Sequence, residues 1–66
     1  MERTPRPIRI GVYIATIKPE EYEGDHQCID GFWITQRGEK IWWYDASWSD
    51  TDAMEDCIGA GFLEAD

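Results

Sequence analysis

Apolar and polar positions alternate along Ile8-Arg9-Ile10-Gly11-Val12-Tyr13-Ile14-Ala15. Ile8, Ile10, Val12 and Ile14 fall on one side; Arg9, Gly11, Tyr13 and Ala15 fall on the other. Period two with β-branched residues predicts one strand over about 8–16, after a proline-stiffened lead-in over 1–7. Two further strands, about 28–36 and 40–45, flank Arg37-Gly38, where Gly38 supplies the positive φ of a tight hairpin turn. A two-residue loop sets Thr35 opposite Lys40, Ile34 opposite Ile41, Trp33 opposite Trp42 and Phe32 opposite Trp43. A glycine-bulge turn slips this register by one, and the sequence leaves both open.

The pattern then changes period. Ala53, Met54, Cys57, Ile58 and Phe62 form one apolar stripe at helical spacing. Ser49 precedes them as an N-cap, Asp50 and Asp52 suit the first turn, and Gly59 and Gly61 suit the end. These signals predict a helix over about 50–60. Between the first two strands, Lys18 to Gln27 reads as an acidic connection in which Pro19 can open one short helical turn. The expected fold is α+β: a three-stranded, mainly antiparallel sheet packed by one C-terminal helix, a single domain over 1–66.

One short helix covers one sheet face. Its natural partner is the aliphatic side, Ile8, Ile10, Val12, Ile14, Phe32, Ile34 and Ile41. The other side then presents Tyr13, Trp33, Trp42 and Tyr44, residue types that anchor interfaces. That aromatic face is expected to be covered by a partner, by a second copy of the chain in a homodimer, or by the 18–27 loop. Trp33, Trp42 and Tyr44 with a nearby acid also have the chemistry of a cation-binding cage.

Composition changes the picture mainly through charge. Fourteen Asp and Glu face six Lys and Arg, for a net charge of −8. The signs are segregated: residues 1–18 hold four cations and one acid, a balance of +3, and residues 19–66 hold two cations and 13 acids, a balance of −11. Such a field disfavours direct nucleic-acid binding, which needs clustered Lys and Arg, and favours basic clefts. Four Trp in 66 residues mark a folded chain rather than an acidic tail. Residues 1–20 lack a secretory pattern and no stretch approaches a membrane span, so no membrane role and a cytoplasmic location are expected.

Candidate reaction chemistry is thin. His26 is the single histidine and lies in a polar stretch, no phosphate-binding or dinucleotide-binding glycine motif occurs, and Asp50-Thr51-Asp52 lacks the rest of a calcium loop. The chain is therefore read as a non-enzyme without a cofactor. His26, Cys28 and Cys57 lack the paired spacing of a zinc site, and the two cysteines read first as thiols and second as a disulfide. What stands out is the acid array. Asp52 and Asp56 are spaced i,i+4 with Glu55 between them, and Glu20, Glu21, Glu23 and Asp25 form a second cluster that continues to Asp30. Carboxylates at such spacing lie roughly 5–6 Å apart, comparable with the charge spacing of a nucleic-acid backbone.

In length, charge balance, β-rich plan with one helix, and acid clusters at Glu20–Asp30 and Asp45–Asp56, the whole chain resembles the small acidic anti-CRISPR and anti-restriction proteins of phages and mobile elements. The resemblance implies an inhibitor of a CRISPR-Cas or other host-defence protein, acting in the host bacterial cytoplasm as a nucleic-acid mimic. Its basic, nucleic-acid-binding target would meet Glu20, Glu21, Glu23, Asp25, Asp52, Glu55 and Asp56. The alternative is an interaction module or homodimer that uses the aromatic face (Tyr13, Trp33, Trp42, Tyr44), with the acids serving solubility.

Overall fold

A computed structural model describes residues 5–20 and 31–65. Four strands, β1 (Arg6–Ile10), β2 (Tyr13–Pro19), β3 (Gly31–Gln36) and β4 (Glu39–Asp45), precede one helix, α1 (Asp50–Gly59). The sheet is antiparallel throughout, in the order β1-β2-β3-β4. The α+β class and the C-terminal helix are as the sequence predicts; the strand count is four rather than three.

The extra strand comes from a turn hidden inside the alternating run. Gly11 takes φ 60, and Val12 does not share a positive φ, the pattern of a type II′ hairpin turn. Ile10 then pairs with Tyr13. A two-residue loop reverses the parity of everything after it, so Tyr13, Ala15 and Ile17 join Ile8 and Ile10 on the core side. Val12 and Ile14, expected inside, are 56% and 41% exposed. The strand expected over 8–16 is two strands. It also starts earlier and ends later, at Arg6 and Pro19, which takes the end of the lead-in and the start of the acidic connection into the sheet.

The second hairpin turns at Arg37 and Gly38, both with positive φ (53 and 80), which gives the strands the right-handed twist of a type I′ turn. Thr35 pairs with Lys40, but the register then slips: Ile34 pairs with Trp42, Trp33 with Trp43 and Phe32 with Tyr44. Ile41 is the extra residue of a β-bulge. This slip carries Trp42 and Tyr44 to the core side and leaves Trp33 and Trp43 on the other. Residues 28–30, expected to begin the strand, lie outside the described residues.

Helix α1 begins at Ser49, whose hydroxyl accepts a hydrogen bond from the Asp52 N–H at 3.1 Å. It ends where Gly61, at φ 84, lets its own N–H reach the Ile58 carbonyl and the Phe62 N–H reach that of Cys57. The chain then turns back. Leu63 enters the core, Gln36 accepts from the Glu64 N–H and donates to the Glu64 carbonyl, and Ala65 bridges to Tyr13. Ile17, Ile34, Ala53, Met54 and Cys57 are fully buried between sheet and helix, with Ala15, Tyr44 and Leu63 nearly so. Phe62, expected in the helix stripe, is 56% exposed and rests its ring on Trp42 instead.

Candidate partner-binding surface

Two surfaces carry the residues singled out by sequence. The first is the outer side of α1. With Ala53, Met54 and Cys57 turned into the core, helical geometry places Asp52, Glu55 and Asp56 outward, and all three are exposed. No cation or hydrogen-bond donor is paired with their carboxylates among the described residues. Arg6 is spent on Asp50, Arg37 on Glu64, and the Arg9 Nε donates to the Gly11 carbonyl at 2.9 Å. The helix thus keeps a strip of negative charge that no cation among the described residues neutralises.

Asp50, one turn earlier, has a structural task. It accepts from the Arg6 Nε at 3.0 Å and also from the Arg6 Nη2, and the Tyr44 hydroxyl donates to its other oxygen at 2.5 Å. Burial alone would raise this carboxyl, but the bonds from Arg6 and Tyr44 and the guanidinium charge outweigh it and hold Asp50 below the usual carboxylate range. Tyr44 is pushed far up, by burial first and by the Asp50 carboxylate second. This trio ties the first strand to the helix start, and the Arg6 guanidinium also lies 5.3 Å from the Phe32 ring centroid.

The second surface is the sheet face turned away from α1. Trp33 sits at its centre, between Lys18 on β2 and Trp43 on β4. Its indole N–H donates to Glu20, and the Lys40 ammonium lies 5.3 Å from its ring centroid. Trp43 covers Gly31: a Cβ there would overlap the indole. The four expected aromatic residues are therefore divided. Tyr13, Trp42 and Tyr44 belong to the core side, because the Gly11-Val12 turn and the Ile41 bulge each reverse side-chain parity, and only Trp33 faces outward. A cage of Trp33, Trp42 and Tyr44 is ruled out by the same division.

Of the acidic residues, Glu20 links the two ideas by holding Trp33, while Asp52, Glu55 and Asp56 share the helix face. Glu21, Glu23 and Asp25 lie outside the described residues, as do His26 and Cys28. Among the described residues no group of His, Cys, Asp and Glu is placed to hold a metal, and Cys57 is a buried free thiol. No helix there is long and apolar enough to cross a membrane. Comparison with protein-family models, curated proteins and solved structures finds no match.

Two exposed tryptophans escape a reading based on alternation. Trp43 is 36% and Trp48 is 50% exposed. Trp48 directly precedes the N-cap, where an apolar side chain commonly staples the helix start. Its half-exposure means that such a staple accounts for only part of it, and a bulky residue in that linker is the signal that marks it.

Proposed function

We propose that this chain is a non-enzymatic inhibitor that occupies a basic, nucleic-acid-binding surface of another protein. The observation that carries the reading is the strip of Asp52, Glu55 and Asp56 on one helix, unpaired among the described residues, where Arg6, Arg9 and Arg37 are engaged elsewhere. Carboxylates at phosphate-like spacing on a preformed helix compete for the same Lys and Arg side chains as a nucleic-acid strand, with no backbone left to order at binding. The resemblance to small acidic anti-CRISPR and anti-restriction proteins supports a host-defence target, met in the bacterial cytoplasm.

The test is capture of nucleic-acid-handling proteins from bacterial lysate, followed by displacement of duplex DNA from whatever is retained. Retention is expected to weaken steeply between about 50 and 200 mM salt. The triple variant Asp52→Lys/Glu55→Lys/Asp56→Lys should associate more slowly and with a flatter salt dependence. Retention unchanged in the triple variant would remove the electrostatic reading.

The outward sheet face favours a second reading, a small interaction module or homodimer. Trp33 and Trp43 sit there beside Lys18 and Lys40, and in that case Trp33→Ala or Trp43→Ala abolishes binding while the helix reversals do not. Sedimentation of the wild-type chain and of both Trp variants separates self-association from recognition of a different partner.

A further inference from the structure

The sheet ends at β4, and beside this edge lies a groove of about 240 Å³ lined by Trp42, Trp43, Tyr44, Asp45, Trp48 and Asp56. Tyr44 is buried and Trp42 is backed by Phe62, so the two form a fixed aromatic base. Trp48 and Trp43 supply the exposed ring surface. Small-molecule pockets usually run to about 300–1,000 Å³, so this groove suits a single long side chain better than a metabolite. Among the described residues its charged lining groups are two carboxylates, Asp45 and Asp56. Asp45 uses one oxygen to accept the Ser47 N–H at 2.8 Å, which holds its carboxyl below the usual range and keeps it ionised. The Asp56 carboxylate has no partner among the described residues.

We infer that this groove receives an arginine side chain presented by the partner protein. Charge complementarity selects a cation, and the exposed indoles select arginine over lysine. A planar guanidinium stacks on an aromatic face and bonds a carboxylate through a fork of donors, whereas an ammonium is more strongly hydrated and offers a point charge. The inference rests on the reading of the partner as a basic protein and gives that partner a specific anchor. Long-range attraction comes from Asp52, Glu55 and Asp56, and Asp56 also closes the groove. Aromatic anchors inside a charged rim concentrate binding energy in this way.

The experiment is a titration of the 66-residue chain with N-acetyl-arginine amide, followed by the indole N–H signals in two-dimensional NMR. Trp48 should shift saturably at millimolar probe, with Trp42 or Trp43, while Trp33, which neighbours Trp43 across the strands but does not line the groove, shifts less. The neutral citrulline amide should leave Trp48 in place, and N-acetyl-lysine amide should bind more weakly. Trp48→Ala is expected to weaken the probe roughly tenfold, and Asp45→Asn with Asp56→Asn to do so several-fold. Equal shifts with citrulline, or shifts at Trp33 as large as at Trp48, overturn the groove assignment. Asp52→Lys/Glu55→Lys alters no groove residue and separates the two readings. Probe binding without any salt-sensitive protein capture by the wild type overturns the function alone. Capture without probe binding overturns the groove alone.

Discussion

The two faces of the sheet are built from similar residue types and put to opposite uses. Toward α1, Ile17, Ile34 and Tyr44 meet Ala53, Met54 and Cys57 with almost no surface left to water. Away from α1, Trp33 and Trp43 lie across the strands among Lys18, Lys40 and Thr16, each ring only partly covered. Aromatic rings occur on both sides, Tyr13, Phe32, Trp42 and Tyr44 within and Trp33 and Trp43 without. What separates the faces is the helix, which makes one side a close-packed interior and leaves the other held together by contacts between neighbouring side chains. The inner face should therefore govern stability and the outer face should tolerate change.

That contrast breaks first at Ile34. Ile34→Ala should cost about 2–5 kcal/mol in urea denaturation, since it leaves a cavity in the core cluster that the rigid surroundings cannot fill. Trp33→Ala, although a larger truncation, should cost less than half as much; equal losses would erase the distinction. Gly31 comes next. An added methyl must displace the Trp43 indole, so Gly31→Ala is expected to cost about 1–3 kcal/mol and to alter Trp fluorescence. In a Trp43→Ala background the same change should cost much less, and additive effects would mean the two do not touch.

A smaller effect belongs to the Arg6–Asp50–Tyr44 trio, which joins the sheet to the helix start. Asp50→Asn should cost about 1 kcal/mol, given its partial exposure. Because the folded state depresses the Asp50 carboxyl, its contribution is complete above the unfolded value near about 4 and is lost as pH falls through the folded one. Tyr44 acts in the other direction. Its folded hydroxyl is raised, so that contribution is complete below about 10 and declines at higher pH. Melting curves from acid to alkaline pH should show both slopes in the wild type and a weaker acid slope in Asp50→Asn. The Arg37–Glu64 ion pair should matter least: Arg37→Ala is expected to change stability by less than about 1 kcal/mol, and by less still at high salt.

The sequence makes the helix and the second turn legible because each carries its own local chemistry. Ser49 caps, Gly61 terminates, and Arg37-Gly38 adopts the conformation that Gly38 announces. The first hairpin is concealed for a specific reason. Its apolar residues keep alternating through Gly11-Val12, so Ile8, Ile10, Val12 and Ile14 look like one face of one strand, although the chain reverses between them. Gly11 in mid-run was the available sign, together with Ile17, which falls out of phase. The bulge at Ile41 leaves no such sign. Either register of Ile41-Trp42-Trp43-Tyr44 puts bulky residues on both faces, and only the packing against Ile34 and α1 decides between them. The acidic strip of the helix was readable from spacing alone, whereas the groove at Trp48 needed the tertiary fold to bring Asp45 and Asp56 together.

Cys57 gives the molecule a built-in clock. It lies fully enclosed between helix and sheet, and burial pushes its thiol up, so the reactive thiolate is both scarce and shielded. An alkylating reagent reaches it only when α1 lifts from the sheet, and the modification rate of the peptide carrying Cys57 counts those openings. A target of the kind proposed, clasping the outer side of α1, would hold the helix down and slow that rate. Engagement on one side of the helix can thus be timed from a sulfur on the other.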